Sequence, residues 1–592
     1  MRFAYVLVCI LVTAVSFAHA ADKPNVVLIV IDDLGRNDLG CYGSKFFRTP
    51  QIDKLATEGV LFSDAYAACP VCSPSRAALL TGKHPARLHL TDWLPGRADR
   101  PDQRLARPKI KQQLPLEETT LAELFQAAGY VTGHIGKWHL GGADFGPEKQ
   151  GFASNIGGGV WGTPPSYFAP FKLPGLEQAP EGEYLTDRLA TEAEKFIDAH
   201  QKESFFLYLA HYAVHTPMVA KPDLVNNYPA GGPPKQQGNQ TYAAMVESMD
   251  ASVGRVMAKL ADLGLRKNTI VVFTSDNGGL ATTEGPNTPA TMNSPLREGK
   301  GWLYEGGIRA PLLIAGGEFK AGKTDVPVSG ADVFATLAEA CQLQVPVHDG
   351  RSVLAALRGE AVVPELRDRP LFWHYPHYAN QGGRPGGAIR HKEWKLIEFY
   401  ETGRRELFNI KNDSGEGRNV AEENPAVVEQ LAKSLDDWRK DVGAQMPTPN
   451  PDYKPHPPNK NGAIVMPAAH ADVFGRMLRY EPLPHKNTLG YWVRPEDWAK
   501  WEFTVTEPQT FTVEILQGCG KGSGGTEVAF VFGEQTLTTI VEDTGHFQNF
   551  KPREIGEVKF EQPGRYTLEV RPKTKPGPAV MDLREVTLRP KK

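Results

Sequence analysis

Two pairs of adjacent polar residues, Asp32-Asp33 and Asp276-Asn277, each follow a short apolar run. Three carboxylates and an amide, with no histidine or thiolate among them, form an oxygen-rich set that suits a hard cation, and Ca²⁺ fits it better than Zn²⁺. Acidic residues also cap strand ends and helix starts without binding a metal. Because two such pairs follow two similar runs, the sequence predicts a metal site.

A cysteine with a nearby arginine offers a second kind of chemistry. Cys72 and Arg76, in the segment CSPSR, lead into a predicted helix over 77–81. A thiol near a helix N-terminus with an arginine four residues on is expected to have a lowered pKa, which makes Cys72 a candidate nucleophile. Cys69 gives a C-x-x-C spacing that is typical of redox pairs. A structural cysteine is the third interpretation.

The polar pairs need a sheet to bring them together. The runs NVVLIVI over 25–31 and TIVVFTS over 269–275 are apolar and β-branched without interruption, which predicts strands buried on both faces. Open α/β sheets bind their ligands just past the carboxyl ends of such strands. Apolar periodicity predicts helices over 116–128, 187–200 and 242–263. Alternating strands and helices predict an α/β domain that ends near residue 360.

The pattern changes twice in the rest of the chain. A strand over 394–399 and a helix over 425–442 predict a smaller α+β module, and a proline-rich stretch follows it. Beyond that stretch, period-two alternation between Gly and Pro residues predicts an all-β sandwich. The predicted organisation is a signal peptide over 1–20, an α/β domain over 22–362, a smaller subdomain over 363–445, a linker over 446–462 and a β-sandwich over 463–592.

Composition excludes several classes of protein. The 592 residues carry a net charge of −3, with 41% hydrophobic and 23% charged residues, which argues against a disordered chain and against nucleic acid as a partner.

The N-terminus has the pattern of a secretory signal, with Arg2, an apolar run over 3–17 and small residues before position 21. This pattern predicts cleavage near Ala20. The run is shorter than the roughly 20 residues that span a bilayer, so we expect export without a stable membrane anchor.

The segment CSPSR with Thr81-Gly82 resembles the signature of the sulfatase family, in which the motif's cysteine is oxidised to formylglycine during export. Five supporting motifs occur in the family's order, and together the six cover about residues 25–315. They are Asp32-Asp33-Leu34-Gly35, Gly136-Lys137-Trp138-His139-Leu140-Gly141, His215-Thr216-Pro217, Ser275-Asp276-Asn277-Gly278 and Gly299-Lys300, the last leading into Tyr304-Glu305-Gly306-Gly307-Ile308-Arg309.

This resemblance implies an alkaline-phosphatase-like fold, with a large mixed sheet between helices. It also implies the roles of the motif residues. Asp32, Asp33, Asp276 and Asn277 would bind one Ca²⁺ together with residue 72, which a formylglycine-generating enzyme would have matured. One hydroxyl of the formylglycine hydrate would attack the sulfate, and the other would then expel it. Arg76 would hold the hydrate, His139 would act as a base, Lys137 and Lys300 would neutralise sulfate oxygens, and His215 would protonate the leaving alcohol.

The substrate residues are less defined by the motifs. Asp92, Trp93, His374, His377 and Arg384 are candidates to hold a sugar, and an ordinary loop with packed aromatic residues is the alternative. Trp161 is a further candidate for stacking on a sugar ring. In the sandwich, Trp501 lies at period-two spacing and is predicted to belong to the core. Cys41 is a possible disulfide partner of Cys69.

The function implied is that of an exported sulfatase acting on a carbohydrate, such as a sulfated polysaccharide or a glycosaminoglycan fragment. One alternative is an arylsulfatase of small phenolic sulfates. Another is a phosphate or phosphonate ester hydrolase of the same superfamily, although Cys72 in its full motif disfavours it. A carbohydrate-binding protein on an inactive sulfatase fold is the alternative outside the enzymes. It would require the loss of a catalytic residue, and none of the motif residues is missing.

Overall fold

The computed structural model describes residues 23–229 and 239–591. The predicted signal peptide over 1–20 lies outside the described residues. Within the described ranges, no helix is both long enough and apolar enough to cross a membrane.

An eight-stranded mixed sheet forms the centre of the first part of the chain, with the order β10-β2-β9-β8-β1-β7-β5-β6. The neighbours β7, β1 and β8 are parallel, whereas β9 is antiparallel to both β8 and β2. The strands are β1 Asn25–Ile31, β2 Val60–Phe62, β3 Ala65–Tyr66, β4 Leu105–Ala106, β5 Val131–Gly136, β6 Ser154–Ile156, β7 Phe205–Ala210, β8 Thr269–Ser275, β9 Leu312–Ala315, β10 Gly322–Thr324 and β11 Val328–Ser329. The large mixed sheet expected from the sequence is therefore confirmed.

Helices cover both faces of this sheet. Val27 and Ile29 of β1 belong to one hydrophobic cluster with α5 and α7, and Val26 and Leu28 belong to another with α2 and α9. The uninterrupted apolar run of β1 follows from this, because both faces of the strand are buried. The helices are α1 Pro50–Glu58, α2 Cys72–Thr81, α3 Pro85–Leu88, α4 Leu121–Ala127, α5 Leu185–Ala199, α6 Pro222–Val225, α7 Gln240–Asp262, α8 Glu305–Ile308, α9 Gly330–Ala340 and α10 Leu354–Leu357.

Two helices differ from the sequence prediction at their N-termini. The helix predicted over 116–128 begins only at Leu121, because the Thr120 side chain accepts a hydrogen bond from the Glu123 backbone and the Glu123 carboxylate accepts one from Thr120 N–H. The helix predicted over 77–81 already begins at Cys72. Helices α5 and α7 lie within two residues of their predicted bounds.

A smaller antiparallel sheet comes next, with strands β12 Leu371–Tyr375, β13 Gly386–His391, β14 Trp394–Phe399 and β15 Arg405–Asn409. One face of it is covered by α12, Pro425–Asp441, and a short helix α11, Pro364–Arg367, precedes it. Leu431 and Leu435 of α12 pack on Ile389 and Leu396 of the sheet.

The last part of the chain forms two antiparallel sheets packed face to face. One has the order β19-β20-β27-β22-β25, with β17 also on β27, and the other has the order β18-β21-β26-β23-β24. The strands are β17 Ile464–Pro467, β18 Asp472–Phe474, β19 Arg479–Glu481, β20 Thr488–Gly490, β21 Trp498–Val505, β22 Gln509–Cys519, β23 Glu527–Phe532, β24 Gln535–Ile540, β25 His546–Phe560, β26 Gly564–Pro572 and β27 Asp582–Pro590. Trp501 and Trp492 are buried in the core between the sheets, as predicted for Trp501.

The proline-rich stretch before the sandwich is bound to the first part of the chain. Its strand β16, Thr448–Pro449, pairs with β4, and Lys454 N–H donates to the Pro101 carbonyl at 2.6 Å. Asn450 donates through its side chain to the carbonyls of Arg100 and Gln103. The segment thus fixes where the sandwich sits rather than acting as a free spacer.

Candidate active site

The carboxyl ends of four neighbouring strands meet at one edge of the large sheet. Ile31 is opposite Ser275 in the β1–β8 ladder, and Gly136 is opposite Ala210 in the β5–β7 ladder. Residues within five positions of these strand ends are therefore brought to the same edge of the sheet. They are Asp32 and Asp33 after β1, Lys137 and His139 after β5, His215 after β7, and Asp276 and Asn277 after β8.

Three buried carboxylates at this edge each face a basic side chain. Lys137 Nζ lies 2.6 Å from Asp32 Oδ2, and Lys300 Nζ lies 2.8 Å from Asp33 Oδ2. Arg76, which projects from α2, binds Asp276 Oδ2 through Nε at 2.8 Å and through Nη2 at 2.7 Å. The remaining guanidinium nitrogen, Nη1, donates to the Lys137 carbonyl at 3.1 Å.

The oxygen atoms of this cluster fit a divalent cation. Asp32 Oδ1 and Asn277 Oδ1 are buried and have no hydrogen-bond partner among the described residues. Such acceptors are costly to bury without a partner, and a cation satisfies both. Burial raises the pKa of Asp32 despite its contact with Lys137, so additional positive charge would stabilise the carboxylate form.

Cys72 lies on the floor of the site as the first residue of α2, with 3% of its surface exposed. Its Sγ atom is 3.3 Å from His139 Nδ1. His139 Nε2 lies 2.6 Å from the Leu94 carbonyl oxygen, which can only accept, so Nε2 carries the proton and Nδ1 presents its lone pair to residue 72. Burial and the charge of Lys137 lower the pKa of His139, which keeps the ring neutral.

The lowered pKa expected for the Cys72 thiol is wrong. Burial raises the pKa of Cys72, although Lys137 and Lys300 act in the opposite direction. The Cys41–Cys69 disulfide is absent too, because all five cysteines in the described part of the chain are free, and this also excludes a Cys69–Cys72 bond.

His215 and Lys300 form a hydrogen-bonded pair above the carboxylates. Lys300 Nζ lies 2.8 Å from His215 Nε2, and His215 Nδ1 lies 2.8 Å from the Thr216 carbonyl. The lysine therefore donates to Nε2, and Nδ1–H donates to the carbonyl. Burial and the charge of Lys300 lower the pKa of His215 to about 3. Burial alone would lower the pKa of Lys300, but the Asp33 carboxylate raises it.

An open cleft of about 320 Å³ is lined by Cys72, His139, His215 and Lys300. Among its walls are the Trp93 ring and three polar side chains, those of Glu284, Asn380 and Gln381. Gln381 Nε2 donates to Glu284 Oε2 at 2.7 Å, which links the two walls. A concave site with a flat aromatic ring and a few fixed polar groups is suited to a polar small molecule.

Of the candidate substrate residues, Trp93 is among the residues that line this cleft. Asp92 is buried and accepts from the Tyr375 hydroxyl, and His377 is hydrogen-bonded to Thr91 Oγ1. The others are held by internal partners. His374 bonds the Tyr400 hydroxyl and the Gln445 carbonyl, Arg384 forms ion pairs with Glu401 and Asp472, and Trp161 is half-buried against the core.

Asn380 and Gln381 were missed by sequence reasoning, although they lie inside the same segment, 373–387, as three of those candidates. Their signal is the turn-forming sequence ANQGG, which places them on a loop after β12. Histidine and arginine are conspicuous by residue type alone. Glu284, on the loop after β8, carried no comparable signal.

Comparison with known families identifies the class of protein. The family model "Sulfatase" matches residues 24–343, more than half of the chain, and a model described as "N-sulphoglucosamine sulphohydrolase, C-terminal" matches residues 299–441. The chain belongs to the sulfatase family of the alkaline-phosphatase-like superfamily, and it is a sulfuric ester hydrolase.

The names of similar proteins agree with this assignment. A sulfatase of Formosa agariphila is 32% identical over 489 residues, covering 69% of this chain and 86% of the relative. The N-acetylgalactosamine-6-sulfatase of Canis lupus familiaris is 35% identical, covering 60% of this chain and 69% of the relative. Arylsulfatase A of Homo sapiens is 34% identical, covering 64% and 75%.

Solved structures show the same fold. The crystal structure of Ps i-CgsB in complex with k-i-k-neocarrahexaose is 33% identical and superposes with a TM-score of 0.61, covering 71% of this chain and 94% of that one. A phosphonate monoester hydrolase of Agrobacterium radiobacter superposes with a TM-score of 0.52 over 71% of this chain and 96% of that one, and at 18% identity it shares the fold alone.

Proposed function

We propose that this sulfatase is an exported enzyme that removes sulfate from a carbohydrate, using one Ca²⁺ and a formylglycine made from Cys72. The observation that carries the proposal is the position of Cys72. Its Sγ atom lies on the cleft floor against His139, beside the oxygen cluster and the ammonium groups of Lys137 and Lys300. A sulfate group held there would meet a nucleophile, a base and several positive charges together.

The oxygen cluster is the proposed Ca²⁺ site. Asp32, Asp33, Asp276 and Asn277, with residue 72, would hold the ion, and the two unpartnered oxygens support this. When bound, the cation supplies positive charge that makes a hydroxyl of residue 72 more acidic and attracts the sulfate oxygens.

Formylglycine at position 72 would supply the nucleophilic hydroxyl of its hydrate. His139 Nδ1 already faces that position with its lone pair and is placed to take a proton from it. Arg76 is fully buried and bound by Asp276, so its guanidinium is held in one orientation beside residue 72. Lys137 and Lys300 would bind sulfate oxygens from two sides of the site.

The leaving alcohol needs a proton, and the His215–Lys300 pair is the proposed source. A sugar alkoxide is a poor leaving group, so a general acid contributes more to its departure than to that of a phenol. In the free protein Nε2 of His215 accepts from Lys300. Nε2 therefore carries no proton in the free protein and becomes a general acid only after it takes one up. A bound sulfate would draw the Lys300 ammonium group towards its own oxygens, and its negative charge would raise the pKa of His215 and favour protonation of Nε2, which could then donate that proton to the leaving oxygen.

The proposed substrate class rests on the cleft walls and on the relatives. Trp93 offers a flat face for a sugar ring, while Glu284, Asn380 and Gln381 offer donors and acceptors for hydroxyl groups. Relatives named for N-acetylgalactosamine 6-sulfate, and a similar structure with a bound neocarrahexaose, support a sulfated carbohydrate.

Maturation of Cys72 has to precede folding in this proposal. The residues of α2 from Cys72 to Thr81 are all buried, so a formylglycine-generating enzyme could not reach the thiol in the folded chain. An unfolded segment crossing a membrane during export would still be accessible.

Peptide mass spectrometry across Cys72, combined with sulfate release from an N-acetylgalactosamine 6-sulfate and a carrageenan oligosaccharide, tests the proposal. We expect formylglycine at position 72 in protein exported from its native host, and we expect Cys72→Ala to abolish sulfate release. The substitution Cys69→Ala, which leaves the motif intact, is the control. Full activity from a preparation whose Cys72 thiol is intact would disprove the formylglycine mechanism.

A further inference from the structure

A second cavity, of about 210 Å³, lies where the three parts of the chain meet. The α/β part contributes a loop with Arg97 and Arg100, and the smaller sheet contributes the loop 378–384. The sandwich and the segment before it contribute His470 and His456. The sandwich therefore forms one wall of a polar cavity, which gives it a position in which it can contact a ligand.

This cavity adjoins the active-site cleft. Asn380 lines both, and its neighbour Gln381 lines the cleft alone. Arg97 Nη1 donates to Asn380 Oδ1 at 2.9 Å, so the guanidinium is fixed at the boundary between the two spaces. A chain of sugar residues with one residue in the cleft would place the next near Arg97.

The charges around the cavity are unevenly compensated. Arg104 and Arg384 bind the Asp472 carboxylate at 2.7 and 3.0 Å, and Arg100 pairs with Asp102. Arg97 differs, because within the described ranges it forms no ion pair with any carboxylate and its hydrogen-bonding partner is the neutral Asn380. Burial and the nearby charge of Arg100 lower the pKa of Arg97, so a half-buried cation here would be stabilised by an anion.

The opposite wall offers a hydrogen-bond acceptor. His456 Nδ1 lies 2.7 Å from the Glu502 carbonyl and must donate to it, which leaves Nε2 to accept from His470 Nδ1 at 2.9 Å. Nε2 of His470 is then an acceptor, and His470 is exposed. A cation on one wall and an acceptor on the other match a sugar that carries both an anionic group and hydroxyl groups.

We propose that this cavity binds the neighbouring anionic sugar residue, sulfated or uronic, of an oligosaccharide whose target sulfate ester lies in the cleft. Arg97 pairs with the anionic group, and the sandwich contributes through His470. The inference rests on the proposed carbohydrate sulfatase function and adds that the preferred substrate is a charged oligosaccharide rather than a monosaccharide.

Kinetics of Arg97→Ala on two kinds of substrate test this site. Loss of a charge-assisted hydrogen bond is expected to raise KM for a sulfated oligosaccharide roughly tenfold to hundredfold, with little change in kcat. Hydrolysis of 4-nitrocatechol sulfate, which is too small to reach the cavity, should stay at the wild-type rate. Arg97→Lys should recover part of the affinity, and Arg589→Ala, an exposed arginine of the sandwich paired with Glu514, should leave both substrates unaffected.

Binding measured by calorimetry separates this inference from the proposed function. In a Cys72→Ala background, which has no nucleophile at position 72, the protein with Arg97 should bind the oligosaccharide more tightly than the protein with Arg97→Ala by the same factor. Equal affinities of the two proteins, or a wild-type enzyme that gains nothing in kcat/KM from oligosaccharide over monosaccharide sulfate, would overturn the inference. Failure of wild type to release sulfate from any carbohydrate would instead contradict the proposed function.

Discussion

At the scale of single residues, the site is a set of opposite charges that hold one another in place. Lys137, Lys300 and Arg76 each pair with a different carboxylate, so each basic side chain at the site has a partner of opposite charge. Two non-glycine residues, Asp33 and His139, have left-handed backbone conformations with φ of 59° and 55°. Such conformations cost free energy and are kept where the surrounding structure requires them, as in many active sites.

The contribution of His215 to the rate of sulfate release should depend on the leaving group. We expect His215→Ala to slow sulfate release from a sugar sulfate about 10²- to 10⁴-fold, the range for loss of a general acid, and to slow 4-nitrocatechol sulfate far less. Parallel kcat/KM measurements on both substrates test this. The control is His200→Ala, at the end of α5 and paired with Glu203. Equal losses on the two substrates would show that His215 does not protonate the leaving group.

The oxygen cluster predicts a stability effect that needs no turnover. Ca²⁺ that binds the folded state should raise the free energy of unfolding, by about 2.7 kcal/mol when the free ion is at 100 times its Kd. Thermal melts with Ca²⁺ and with EDTA measure the effect. Asp32→Asn should abolish the increase, whereas Asp198→Asn, on the surface of α5, should preserve it. An increase that survives Asp32→Asn would place the ion elsewhere.

At the scale of elements, the sequence revealed the strands and the polar residues at their carboxyl ends but not the walls of the cleft. Uninterrupted apolar runs identified β1 and β8, and parallel register then brought Asp32 and Asp276 together. The cleft walls come from loops whose positions depend on contacts between residues far apart in sequence. Residue type therefore favoured His374, which bonds the Tyr400 hydroxyl, over Gln381, which lines the cleft and bonds Glu284. The raised pKa of Cys72 was unforeseeable for the same reason, since the burial of α2 depends on packing against α9 and α4.

The loop after β8 depends on a glycine that tolerates no side chain. A Cβ atom on Gly278 would lie 1.8 Å from the Gly306 carbonyl oxygen. Gly278→Ala should therefore displace the adjacent Asn277, destabilise the fold by about 1–3 kcal/mol and reduce the Ca²⁺-dependent stabilisation. Urea unfolding with and without Ca²⁺ measures both effects.

Gly142 provides the matched control for that substitution. A Cβ atom there meets nothing within 4 Å, and its φ of −82° suits alanine. Gly142→Ala should leave both stability and Ca²⁺ binding unchanged. If Gly278→Ala behaved like Gly142→Ala, the loop would be more adaptable than its close packing indicates.

At the scale of the whole molecule, the sandwich is attached through buried charges as well as through the β16–β4 ladder. Asp472 of the sandwich is 7% exposed and accepts from Arg384 of the smaller module and from Arg104 of the α/β part. Tyr453 adds a hydroxyl that donates to Glu502 and accepts from Arg104. One carboxylate thus connects the three parts beside the second cavity, so the attachment and the proposed sugar site depend on the same residues.

Removal of that carboxylate should weaken the attachment in a pH-dependent way. Asp472→Asn leaves Arg384 and Arg104 partly uncompensated, and we expect a loss of about 3 kcal/mol at pH 7. Burial alone would raise the pKa of Asp472, but Arg384 and Arg104 lower it below its usual value. A lowered folded-state pKa gives stability that is present above the unfolded pKa of about 3.9 and is lost as the pH falls through the folded value. The difference in the free energy of unfolding from wild type should therefore be constant between pH 8 and 5 and should shrink in stronger acid.

Urea unfolding at several pH values tests this, with the exposed Asp452→Asn as the control. A difference that did not shrink in acid would mean that the lost contact is not the charge of Asp472.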